Sequence, residues 1–165
     1  MEEEALEQLI TILCKEVALL NGLRTLLAAQ QDALVGGNVE GIKQSVESQI
    51  AVLSEISELE SERTSLLTVA QLGADQDGED VTLSCLIEIA PQHGQRLREV
   101  RDAFKDVLEA IGMLNKHNGM LINQSLSYIG KTLRMIAGED TSSTVYTSEG
   151  DVTCPTGRLA VDRKI

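Results

Sequence analysis

The chain has 165 residues, enough to bury one core without help from metals or disulfides. Aromatic residues make up 2% of it, prolines number two, and 42% is hydrophobic, mostly Leu, Ile, Val and Ala, which suits long packed helices and excludes a strand-rich fold. Fourteen basic against 26 acidic residues give a formal net charge of -12, which repels phosphate backbones and anionic headgroups and excludes nucleic acid as a partner.

Glu2, Glu3 and Glu4 place carboxylates where they complement the exposed N–H groups of a first helical turn. Leu6, Leu13, Leu20, Leu27 and Leu34 then recur every seventh residue, with Ile10, Val17 and Leu23 between them, so one helix is predicted over about 2–35. It ends at Val35-Gly36-Gly37-Asn38, where glycine supplies the left-handed backbone of a helix C-terminus and Asn38 caps the next helix. That second helix, over about 39–72, folds back as an antiparallel hairpin. Ile42, Val46, Leu53, Ile56, Leu59, Leu66, Leu67 and Ala70 are predicted to point inward, and Glu58, Glu60, Glu62 and Arg63 to form a solvated face.

Gly73 to Asp80 is a polar, acidic linker. Its DxDG string does not make a calcium loop: with Asp75 in first place, the twelfth position, which needs a bidentate Glu, is Leu86. Thr82 caps a short helix over about 82–90, predicted to pack across the hairpin, and Pro91 ends or restarts it. The last long helix covers about 92–137, first burying Leu97, Val100, Phe104 and Val107, and stops at Gly138.

The second part of that helix carries an unusual pattern. With Val107 at heptad position d, Leu114, Leu121, Tyr128 and Met135 also fall at d, and Leu108, Ile122, Ile129 and Ile136 at e. Asn115 falls at e, while Asn118, Ser125 and Thr132 fall at a. The stripe therefore has one apolar edge and one hydrogen-bonding edge, as expected of a helix that binds another protein. Gly94, Gly112, Gly119 and Gly130 each cost the helix about 1 kcal/mol relative to Ala. Gly112 and Gly119 sit one heptad apart, consistent with a soft helix, a close approach to its backbone, or tolerated surface glycines. Residues 138–165 hold Ser, Thr, Gly and Pro with isolated apolar residues, predicting a flexible tail in which Val145-Tyr146 suits docking as a short peptide.

No constellation for catalysis is present: His93 and His117 have no Cys, Ser or Asp beside them in a nucleophile motif, and GxGxxG and GxxxxGK[ST] are both missing. Cys14, Cys85 and Cys154 are odd in number without CxxC spacing, so reduced thiols are expected rather than disulfides or zinc. No enzyme activity, cofactor or metal is expected. The start, MEEEALEQL, lacks a basic n-region and no apolar run approaches the roughly 18 residues of a membrane span, pointing to a cytoplasmic protein.

Leu114-Asn115-Lys116-His117-Asn118-Gly119-Met120-Leu121, followed by Thr144-Val145-Tyr146-Thr147-Ser148-Glu149-Gly150, resembles the LNxHNGxL run and the TxYxxxG tail segment of the FlgN family of flagellar export chaperones. The motifs cover the C-terminal third; Asp151 to Ile165 matches little. The resemblance implies an all-α fold and binding of the C-terminal helical segments of hook–filament junction proteins. It also implies delivery of these clients to the platform protein of the flagellar type III export gate, with Tyr146 as the docking residue.

The expected fold is an elongated antiparallel bundle or coiled coil of three long helices and one short one over 1–137, then a disordered tail over 138–165. Leu114, Asn115, Asn118, Leu121, Ile122, Ser125 and Ile129 are the expected client contacts, on a chain that is a monomer when free. Two other readings stay open. One is a coiled-coil scaffold pairing chains through the Leu6–Leu34 seam; the other is a histidine phosphotransfer domain using His117, although HNGML lacks the Lys-Gly arrangement such domains show after the histidine.

Overall fold

The computed structural model describes residues 3–69 and 83–137, together with 145–146 and 152–153. Helix α1 spans Glu3–Val35, α2 Val39–Val69, α3 Leu83–Ile89 and α4 Gly94–Ala137, with a 3-10 turn at Pro91–His93 before α4. The architecture is thus the all-α bundle of three long helices and a short one that the sequence predicts. Strands β1, Val145–Tyr146, and β2, Val152–Thr153, pair antiparallel with Tyr146 opposite Val152. The acidic linker, the Thr82 cap, the end of the second helix beyond Val69 and the rest of the tail lie outside the described residues. By their internal contacts the residues fall into two units, Met1–Gly119 and Met120–Ile165.

The α1–α2 turn follows from three residues. Gly37 takes a φ of 64°, and the Asn38 N–H reaches back to the Ala33 carbonyl at 2.9 Å, closing the end of α1. Asn38 then turns to α2: its Oδ1 accepts the Gly41 N–H at 3.0 Å. A Cβ on Gly41 would stand 2.8 Å from the Asn38 amide nitrogen, so a glycine there leaves room for the cap. At the other junction Ala90 leaves the helical region (φ -124°, ψ 69°), as the proline after it favours, and the chain re-enters helix through a 3-10 turn closed by His93 N–H to Ala90 O at 3.0 Å. Helix α4 accordingly starts at Gly94 rather than at residue 92.

The core of the first unit forms two clusters. Leu6, Leu9, Ile10 and Leu13 of α1 pack with Leu86 of α3, Ala90, and Leu97 and Val100 of α4. Leu20, Leu23 and Leu27 pack with Ile56 of α2 and Val107 and Ile111 of α4. Residue numbers rise together along α1 and α4, so these two helices run parallel while α2 runs antiparallel to both. Each fully buried Leu or Ile contributes about 1.5–3 kcal/mol. The Leu6–Leu34 seam is mostly consumed here: Leu6, Leu13, Leu20 and Leu27 are all buried inside their own chain, which removes the surface a scaffold reading requires.

Helix α2 turns Ile42, Ile56, Leu59, Leu66 and Leu67 inward as predicted but not Val46 and Leu53, which are exposed; the inward row over its first half runs through Ile42, Ser45, Gln49, Val52, Ile56 and Leu59 at steps of three and four. Ser45 can sit inside because its hydroxyl donates to the Ile42 carbonyl at 2.8 Å.

Among the described residues two ion pairs tie the helices, and His93 lies beside one of them. Arg96 Nη1 donates to both Glu7 oxygens at 2.7 and 2.9 Å, which holds the Glu7 carboxyl below its usual range, and His93 Nδ1 lies 3.3 Å from the same carboxylate. Arg63 Nε donates to Glu16 Oε1 at 3.1 Å. Glu16 is 3% exposed, and burial pushes its carboxyl up from the ordinary value against the pull of Arg63.

Candidate functional site: the open face of the last helix

One face of α4 can be followed along its length in steps of three and four residues. Leu97, Val100, Val107, Ile111 and Asn118 occupy it first and are all buried. The same line continues through Ile122, Ser125, Ile129, Leu133 and Ile136, and there it is uncovered: Ile122 is 38% exposed, Ile129 53%, Leu133 60% and Ile136 70%. Leu126, beside the line, is 61% exposed. From Ile122 to Ala137 every residue but Gly130 is exposed. A row from Ile122 to Ile136 is about 21 Å long at 1.5 Å per residue, and a contiguous exposed apolar strip of that kind is the candidate interaction surface of this helix.

The edges of the strip carry no charge. Ser125 and Thr132 border one side, and Gly130 lies toward the other, while Lys131 and Arg134 project from the opposite side of the helix. From Ala110 to Gly138 the sequence holds no Asp or Glu at all. The strip can therefore bind through apolar burial and hydrogen bonds, and it offers no acid, base or nucleophile.

The expected contact residues divide between the two parts of the line. Leu114 is half-buried against the second core cluster and Leu121 is half-buried, whereas Asn115, Ile122, Ser125 and Ile129 are exposed. Asn118 is placed differently from the expectation. It is 3% exposed, and its Nδ2 donates at 3.0 Å to both the Leu27 carbonyl and Gln30 Oε1 of α1. Its amide is occupied inside the bundle, one turn before the open strip begins. His117 is exposed.

Leu126 and Leu133 belong to the strip although the heptad reading placed them outside it. A straight helix of 3.6 residues per turn drifts by about 20° per heptad against a strict seven-residue frame. Over four heptads the apolar line moves off its starting positions, so following steps of three and four from the buried end would have found both leucines. Tyr146 is in β1, opposite Val152.

No described helix is long and apolar enough to cross a membrane. Searches among curated proteins and among solved structures give no match. The sequence model of one family, described as FlgN protein, matches residues 1–153, a span that includes every helix and the Tyr146 strand. With that match over most of its length, and with a helical bundle that leaves one apolar helix face open, the chain belongs to the FlgN family of flagellar export chaperones.

Proposed function

We propose that this chaperone receives the amphipathic C-terminal helical segments of hook–filament junction proteins on the open strip of α4. The uncovered continuation of a core-forming face carries this reading. Up to Asn118 the line is satisfied by α1; beyond it five aliphatic side chains are presented at the spacing a second helix needs to lay its own apolar face down. Burying a few of them at about 1.5–3 kcal/mol each leaves useful affinity after ordering costs. A bound segment would be kept from premature association and from proteases.

In this reading Leu121, Ile122, Leu126, Ile129, Leu133 and Ile136 touch the client, Asn115 and Ser125 supply edge hydrogen bonds, and Leu114 and Asn118 hold α4 to the bundle. The chain works in the cytoplasm as a monomer when free, without an enzymatic step, and Tyr146 docks it to the export-gate platform protein. Hydrogen exchange tests the site. Adding a junction protein's C-terminal segment should slow exchange in 120–137 and leave the α1–α2 turn unchanged; protection confined to α1 and α2 would refute it. Tyr146→Ala should weaken binding to the platform protein and leave client affinity unaltered, and a parallel loss of client affinity would overturn that division of labour.

A further inference from the structure

Helix α2 carries a second apolar row, beside the one it turns inward, that its own chain leaves uncovered. Val39, Val46, Ile50 and Leu53 fall within about 60° of arc at 100° per residue, and the least exposed of them, Val46, is 39% exposed. The row is about 21 Å long, or four helical turns. Its solvent-side margin is acidic, because Glu40, Glu47 and Glu58 follow it, and all three are exposed. Helix α2 holds six glutamates against two cations, Lys43 and Arg63. Arg63 is turned in to Glu16, and Lys43 lies 4.0 Å from Glu47, so the margin keeps a net negative charge.

We propose that this row docks a basic amphipathic helix of a partner protein. The partner's apolar face lies on Val39, Val46, Ile50 and Leu53, and the lysines or arginines beside that face reach Glu40, Glu47 and Glu58. Spacing and charge together choose the occupant. Intervals of seven, four and three residues match the side-chain rows of a packed helix. Carboxylates that recur along the edge favour a partner with cations at the matching turns and disfavour one with anions there. A second copy of this chain would bring the same acidic margin and a net charge of -12 against it, and an anionic membrane surface is repelled for the same reason. The α4 strip has neutral edges, so the two surfaces select helices of different charge. The α2 site uses α2 alone and does not rest on the client reading.

NMR titration of the full chain with three synthetic peptides of about 18 residues, enough to span the row, tests the assignment. The first has leucines on one helical face and lysines elsewhere. The second replaces every lysine by glutamate, and the third keeps the leucine–lysine composition but spreads the leucines around the helix. The first should shift amides of residues 39–58 and bind at least about tenfold more tightly than either of the others. Its affinity should fall as salt is raised. Ile50→Ser with Leu53→Ser should weaken it at least about tenfold with circular dichroism unchanged. Glu40→Gln with Glu47→Gln should weaken it about threefold to tenfold and flatten the salt dependence. Equal binding of the glutamate peptide or of the spread-leucine peptide would overturn the proposal. So would shifts confined to 122–136, full affinity in either double variant, or no binding. A dimer of the free chain in sedimentation equilibrium that the serine pair dissociates would assign the row to a second copy and overturn it as well.

Discussion

Asn118 marks the point at which the buried part of one helix face gives way to its exposed part. It sits on the apolar line of α4 and bonds to the Leu27 carbonyl and Gln30, while its own Oδ1, buried, has no partner among the described residues. A polar group in that position costs stability relative to a well-packed aliphatic one and fixes which turn of α4 faces which turn of α1. Asn118→Ala should lower stability by about 1–3 kcal/mol in urea unfolding, because Gln30 loses its partner, and should leave client affinity within about twofold. A collapse of affinity with stability intact would instead place Asn118 on the client. Glu16 gives a pH prediction of definite sign. Its carboxyl is raised in the folded chain by burial, so folding favours the protonated form, and that contribution is complete below the ordinary carboxylate value and lost as pH rises through the raised one. Relative to wild type, Glu16→Gln should gain stability between pH 4 and pH 7; a relative loss over that range would contradict burial as the dominant influence. Removing the cation instead, with Arg63→Met, should cost about 1–3 kcal/mol at pH 7.

At the scale of elements, the α1–α2 turn depends on its cap and its positive φ. Asn38→Ala should cost about 0.5–2 kcal/mol and Gly37→Ala about 1–2 kcal/mol, measured by thermal or urea unfolding, with the helices retained. No change in either variant would mean that the turn is held by packing alone. This turn was legible in the sequence because glycine and asparagine chemistry is local. Helix α1 was legible too, since its leucines repeat in register and nearly all face the core. Helix α2 was legible only in part: Ile42, Ile56, Leu59, Leu66 and Leu67 face inward as read, but the row between them passes through Ser45 and Gln49 while Val46 and Leu53 point out, because a hydroxyl can satisfy itself on its own helix. On α4 the pattern was recognised but its frame was not: a strict heptad lost Leu126 and Leu133 through helical drift and counted Asn118 as open. Whether a residue on an apolar line is covered depends on where a neighbouring helix stops, which is not written in the line itself.

For the whole molecule, charge and burial point the same way. A chain with a net charge of -12 has one long stretch free of acidic residues, Ala110 to Gly138, and that stretch holds the exposed apolar strip. A helix docking there meets neutral edges, so its affinity should change little with salt, while salt should weaken contacts made elsewhere on the acidic surface. The most direct test is calorimetric titration of a junction protein's C-terminal segment into the wild-type chain and into a Leu126→Asp, Leu133→Asp double variant. Both side chains are more than half exposed, so the variant should keep its helicity and its unfolding free energy in urea to within about 0.5 kcal/mol per site. It should lose at least about a hundredfold in affinity, as expected when two aliphatic anchors of roughly 1.5–3 kcal/mol each are replaced by charge. Undiminished binding by the double variant would contradict the account and put the client on another surface.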